Sequence, residues 1–332
     1  MCRAPLLILG AIAPLAGQAR SAASGQSGYQ DRFILANGAR LYLADWGGSG
    51  PVLLFIPGFG NGAHIFDSLA PAFLDHFHVA ALTPRGFPPS SAPDSGYTIV
   101  HLAADVRVVL DSLRASKAVL AGHSIAGAVI TRFAEDYPSR LLAAVYLDGA
   151  YDFGESYRRS RATARADLPK PLDTTSARYR AWKERYPDHS ALIQRDGRMW
   201  DIDSTDIARR EALVAPLVTE VRSTPHEVWW VRAPALVVCA TGSMDRSFGW
   251  FSPDSAPWRR TFDFVQRLLA TKRGVCEDAR RQLPRGRLLV LDAGHYVFLD
   301  QRDEVIRGMK AFLLSAVPHA ITPFHTSNGR LR

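Results

Sequence analysis

The sequence predicts an α/β fold: a mostly parallel central sheet of about eight strands, flanked by helices and interrupted by a helical cap. Three observations lead there. Short apolar runs with the length of buried strands alternate with stretches of helical periodicity, which implies a parallel sheet covered on both faces. The first two strands are joined by Asn37-Gly38, two residues that tolerate positive φ, so the chain opens on an antiparallel hairpin. Finally, the alternation stops between about Phe153 and Arg232, in a stretch rich in Arg, Tyr and Trp without a clear strand.

In order, Arg32–Leu35 and Leu41–Leu43 form the hairpin, and Val52–Ile56 is a continuous apolar run closed by Pro57-Gly58, as expected of a strand buried on both faces. A helical stretch near Ile65–Phe77 leads to a strand at Val79–Leu82. Leu102, Val106, Val109, Leu110 and Leu113 share one helical face. Ala118–Ala121 is a strand, Ile125–Tyr137 a helix ended before Pro138, and Leu141–Leu147 another strand. Beyond the cap come strands at Ala235–Ala240 and Leu288–Leu291, with a helix around Trp258–Ala270 between them. A last helix over Glu304–Ser315 is expected to be capped by Asp303. The expected organisation is a signal peptide over 1–23, core over 29–152, cap over 153–232, core again over 233–317 and a polar tail over 318–332.

Composition excludes several classes. With 332 residues, 47% of them hydrophobic, the chain can bury a large core without staples. The net charge of +8 raises nucleic acid as a partner. However, the basic residues are scattered, and Asp167 and Glu155 dilute the tightest group, Arg158, Arg159, Arg161 and Arg165. No zinc-finger or RNA-binding pattern accompanies them, so a nucleic-acid partner is not expected. The N-terminus carries Arg3, an apolar run over Leu6–Leu15 and small residues to Ala19 and Ala23, the plan of an export signal. That run is too short to span a bilayer, so an exported protein without stable membrane insertion is expected. Cys239 reads by default as a buried inert thiol, with a bridge to Cys276 left open.

The chemistry is concentrated in Ala121-Gly122-His123-Ser124-Ile125-Ala126-Gly127, between a buried strand and a helix. A turn that sharp strains the serine and requires small flanking residues, and it lifts the hydroxyl toward a helix N-terminus. A serine needs a base, and the base needs a carboxylate to orient it. His295, just past the last strand, is the candidate base. Asp245, past the penultimate strand, is the favoured acid, with Asp148 and Asp152 as alternatives. The amides of Ile125 and Phe59, the latter in Pro57-Gly58-Phe59-Gly60-Asn61-Gly62, are the candidate oxyanion donors.

Together with the Arg85-Gly86-Phe87 turn, these motifs resemble the α/β-hydrolase fold superfamily, specifically its capped single-domain members, over roughly Phe33 to Leu314. The resemblance implies a serine hydrolase acting on an ester or related acyl bond of a small molecule, without a cofactor. Dehalogenases and epoxide hydrolases of that superfamily carry Asp where this chain has Ser124. An aminopeptidase-like member, with Asp201, Asp203 and Asp206 holding an ammonium, a haloperoxidase-like member and a non-catalytic ligand binder are the alternatives. Gly58-Phe59-Gly60-Asn61-Gly62-Ala63 also fits a dinucleotide fingerprint, but two strands precede it and no acidic residue closes the next strand, so no nicotinamide cofactor is expected. His226-Glu227-Val228-Trp229-Trp230 supplies only half of a zinc helix. Trp229 and Trp230 could line an acyl pocket or pack a hinge.

Overall fold

In a computed structural model, which describes residues 28–150, 174–187, 189, 204–223, 228–243, 245–246 and 256–318, all eight expected strands form one sheet. They are β1 (Gln30–Ala36), β2 (Ala39–Gly47), β3 (Val52–Ile56), β4 (His78–Thr83), β5 (Ala118–His123), β6 (Leu141–Leu147), β7 (Ala235–Ala240) and β8 (Gly286–Leu291). Their spatial order is β1-β2-β4-β3-β5-β6-β7-β8, antiparallel across β1, β2 and β4 and parallel from there on. Asn37 and Gly38 take φ of 46° and 78°, the double positive turn that the hairpin requires.

β3, β5 and β7 are buried at every position, and this is why they read as unbroken apolar runs rather than alternating ones. Residues of opposite parity feed two cores. Leu54, Leu120 and Val237 pack on one face with helices α1 (Ile99–Ser112) and α2 (Ala126–Asp136). Leu53, Phe55, Val119 and Val238 pack on the other, against Phe66, Phe73, Phe298 and Phe312.

Between β6 and β7 lie α3 (Ala177–Arg185) and α4 (Ser204–Ser223). α4 packs on the segment after β4: Arg210 donates to the carbonyls of Gly86 and Ser90, and the Ile99 amide donates to Glu220 at 3.1 Å. Helix α5 (Ala256–Gln282) precedes β8, and α6 (Val297–Asp300) and α7 (Arg302–Ala316) follow it.

Three local expectations need correction. The stretch Ile65–Phe77 forms two short 3-10 turns, Ala63–Phe66 and Ala70–Phe73, because Pro71 removes a backbone donor where a continuous helix needs one. The last helix starts at Arg302 with Gln301 at its cap, so Asp303 lies in the first turn, where its charge still complements the helix dipole. Cys239 is buried as expected, but it is bonded to Cys276 across a Cα–Cα distance of 6.1 Å. The expected export signal, the polar tail beyond 318 and the Arg158–Arg165 cluster lie outside the described residues. No described helix is long and apolar enough to cross a membrane.

Candidate active site

β5 ends at His123, and the chain reverses into α2 through Ser124. Ser124 has φ of 53°, in the left-handed region that costs an ordinary residue about 1–2 kcal/mol. The turn closes only because its surroundings lack side chains. A Cβ on Gly122 would stand 2.7 Å from Ile130 and 3.0 Å from the Ala126 Cβ, and one on Gly127 would fall 1.7 Å from the Gly149 carbonyl oxygen. A Cβ on Gly149 would be 2.4 Å from the Ser124 carbonyl oxygen. Ala126, buried in this packing, is accommodated because Gly122 leaves it room.

The segment after β6 therefore runs directly against the serine turn, and it carries Asp148, whose φ is also positive at 50°. The Asp148 Oδ2 accepts from His295 Nδ1 at 2.7 Å and lies 3.3 Å from Lys272 Nζ, while Oδ1 accepts from the Ala240 amide at 3.1 Å. The aspartate side chain is fully buried, whereas that of His295 is 43% exposed. Burial alone would raise the carboxyl. The His295 hydrogen bond, the Lys272 and His295 charges and the Ala240 N–H outweigh it and hold Asp148 below the usual carboxylate range. An ionised carboxylate only accepts, so the His295 proton sits on Nδ1 and the Nε2 lone pair stays available.

The structure thus brings Asp148 to His295, not Asp245. Asp245 lies about half exposed in the segment after β7, where it accepts from the Tyr186 hydroxyl at 2.7 Å and pairs with Arg185 at 3.1 Å. Trp182 Nε1 donates to the carbonyls of Asp245 and Arg246 in the same seam. Asp245 is therefore committed to α3 and its flank. Asp152, the other alternative, lies outside the described residues.

Sequence reasoning assigned no role to His123. Its Nε2 sits 3.0 Å from the His295 carbonyl, an acceptor only, so His123 carries its proton on Nε2 and holds the His295 loop. Its ring lies 4.6 Å from that of His295. Burial, reinforced by the nearby His295, pushes its pKa down to about 3, so it stays neutral. Its Nδ1 is buried without a hydrogen-bond partner among the described residues and faces Gly58, where a Cβ would come within 2.7 Å. The glycine at the head of the post-β3 loop is thus dictated by the histidine beside the serine.

Among the described residues, the amides of Phe59 and Ile125 donate to no protein acceptor. Ile125 directly follows the serine at the entrance to α2. The Tyr296 hydroxyl donates to Asn61 Oδ1 at 3.0 Å, tying the post-β3 loop to the His295 loop. Beside Phe59 and Ile125 an apolar cavity opens, lined also by Phe87, Leu102, Val129 and Leu217. Its one acidic lining residue, Asp105, is bonded twice to buried Arg85. Trp229 and Trp230 do not line it; they stack on each other with centroids 3.8 Å apart. Asp206 pairs with Arg210 one turn on, while Asp201 and Asp203 lie outside the described residues. Among the described residues, the one cluster of metal-ligand types is Asp148 with the two bridged cysteines. Disulfide sulfurs are not thiolate ligands, so this donor set does not suit a metal.

Residues 51–244, more than half of the chain, match the family model described as the alpha/beta hydrolase fold. The chain is 33% identical over 119 residues to epoxide hydrolase 3 of Mus musculus, covering 35% of this chain and 32% of that protein. It is 31% identical over 101 residues to 2-(acetamidomethylene)succinate hydrolase of Mesorhizobium japonicum, covering 30% and 36%. These matches span well under half of either relative. Among solved structures, it is similar to a thermophilic esterase from Thermogutta terrifontis (TM-score 0.59, 20% identity, 86% of this chain and 99% of that one). An enol-lactonase from Burkholderia xenovorans is similar to the same degree (TM-score 0.60, 19% identity, 85% and 99%). Sheet order, serine turn and family match agree, and the chain belongs to the α/β-hydrolase fold family.

Proposed function

We propose that the protein is a serine hydrolase that cleaves an ester or related acyl bond of a small molecule through a covalent acyl-enzyme. The observation that carries this reading is the 2.7 Å bond between His295 Nδ1 and buried Asp148, made directly beside the strained Ser124 turn. In this reading Ser124 Oγ attacks the carbonyl carbon while its proton passes to His295 Nε2, and the Phe59 and Ile125 amides stabilise the oxyanion. The tetrahedral species collapses as the bond to the leaving alcohol breaks and the imidazolium returns the proton to it. Water, deprotonated by the same nitrogen, then releases the acid and regenerates Ser124. Asp148 fixes the tautomer and stabilises the imidazolium.

The nucleophile itself argues for acyl transfer. Attack by a serine on an epoxide or alkyl halide carbon would leave an ether, which has no carbonyl for water to attack, and turnover would stop. The leaving group must face His295, which protonates it. The acyl group is therefore assigned to the apolar side formed by Phe59 and Ile125, where the cavity's free volume of about 20 Å³ favours a short acyl group. We further propose export, which the Cys239–Cys276 bridge supports because disulfides persist in oxidising compartments.

The test is intact mass after treatment with a fluorophosphonate. One adduct on the wild type and none on Ser124→Ala is the expected outcome. A folded wild type that stays unlabelled would refute the reading and leave a ligand-binding member of the fold.

A further inference from the structure

The buried carboxylate beneath His295 has a further partner that the proposed cycle does not use. Lys272, on α5, places its ammonium 3.3 Å from Asp148 Oδ2, the same oxygen that accepts from His295. Lys272 is one helical turn before Cys276, and Val275, Cys276 and Ala279 are buried along that part of the helix. Cys276 is bonded to Cys239 of β7, and the next residue, Ala240, donates its amide to Asp148 Oδ1. The two sulfurs and the carboxylate lie within 4.8 Å of one another. The disulfide therefore joins the helix that brings the cation to the strand that brings the amide, at the carboxylate both of them hold.

We infer that Lys272 is a positioning residue that sets the pH at which the Asp148–His295 pair takes up its proton, and that the Cys239–Cys276 bridge holds it there. This rests on the hydrolase reading only for its kinetic readout. A fixed positive charge opposes protonation of the pair whichever member carries the proton. Among the described residues, the other groups named against the pair do not carry a second positive charge. From β5, His123 is buried and neutral; from the His295 loop, Tyr296 presents a ring 5.8 Å away. From β7 comes an amide, and beyond the loop Asp292 and Asp300 both pair with Arg246.

The experiment compares wild type, Lys272→Met, Lys272→Arg and the Cys239→Ala/Cys276→Ala double variant. It follows kcat/KM for p-nitrophenyl acetate against pH and, separately, the His295 Cε1–H resonance, assigned by its loss in His295→Gln. In Lys272→Met the acid limb and the resonance midpoint should both rise by about one pH unit, without loss of rate on the alkaline plateau. Lys272→Arg should return both toward wild type, because it keeps the charge. The double variant should move them in the same direction as Lys272→Met. A Lys272→Met midpoint equal to wild type overturns the inference, as does a lower plateau with an unmoved limb, which is what a merely structural lysine would give. An unmoved limb in a folded double variant overturns the role of the bridge. A wild type inert to ester and fluorophosphonate refutes the hydrolase reading alone, since the resonance still decides the role of Lys272.

Discussion

Replacing Asp148 by Asn keeps the shape of the side chain and removes its charge, and the structure gives the consequence atom by atom. Oδ1 accepts from the Ala240 amide at 3.1 Å and Oδ2 from His295 Nδ1 at 2.7 Å, so both oxygens face donors. An amide must turn its NH2 toward one of them. If it faces Ala240, two donors meet in a site with no exposed side-chain surface. If it faces His295, the imidazole must accept at Nδ1 and carry its proton on Nε2, where it can no longer deprotonate Ser124. Loss of the base's tautomer and of its counter-charge lowers kcat by about 10⁴-fold in an analogous triad, or about 5.5 kcal/mol of barrier. Asp148→Asn should therefore lose roughly that factor in ester turnover and in fluorophosphonate labelling rate, with a native circular-dichroism spectrum. The matched control is Asp245→Asn. Its carboxylate is about half exposed, and the Tyr186 hydroxyl can donate equally well to an amide oxygen, so turnover should stay within about threefold, a surface-level effect. A collapse in Asp245→Asn with turnover retained in Asp148→Asn would refute the assignment of the acid.

Two further outcomes follow from the same geometry. Gly127→Ala should abolish labelling of Ser124 and destabilise the fold by several kcal/mol, because its Cβ would lie 1.7 Å from the Gly149 carbonyl oxygen and neither backbone can give way; unaltered labelling and urea midpoint would contradict the close passage of the two segments. His123, with its pKa pushed down to about 3 by burial, takes up a proton on unfolding wherever the pH lies between that value and about 6.5. The unfolded chain binds more protons there, so this residue makes stability rise with pH up to about 6.5 and level off above it, by up to about 1.4 kcal/mol per unit. His123→Gln should flatten the slope measured by urea unfolding between pH 5 and 6 by about one proton and change it little near pH 7; an unchanged slope between pH 5 and 6 would mean that His123 is charged in the native state.

The strands, their order along the chain and the serine turn were legible because each has a local physical cause. β3, β5 and β7 are buried on both faces and must be mostly apolar, β5 being so up to its last residue, His123, Asn37-Gly38 is nearly obligatory in a two-residue hairpin, and a strained serine needs Gly122 and Gly127 within three residues of it. The acid was not legible in this way. Asp148 and Asp245 each follow a strand that ends at the same edge of the sheet, and nothing local separates them. Leu147-Asp148-Gly149 did hold a signal, a glycine next to the carboxylate, but its meaning depends on Gly149 touching Ser124 across 25 residues of chain. The ammonium of Lys272, the bridge from Cys239 to Cys276 and the bond from His123 to the His295 carbonyl belong to the same class. By itself the sequence determined which elements form and where the serine is exposed, because periodicity and sterics act between neighbours in the chain. Only the tertiary structure decided which carboxylate, cation and carbonyl meet around His295, because charge and hydrogen bonding act between neighbours in space, and the fold makes neighbours of residues up to 235 positions apart.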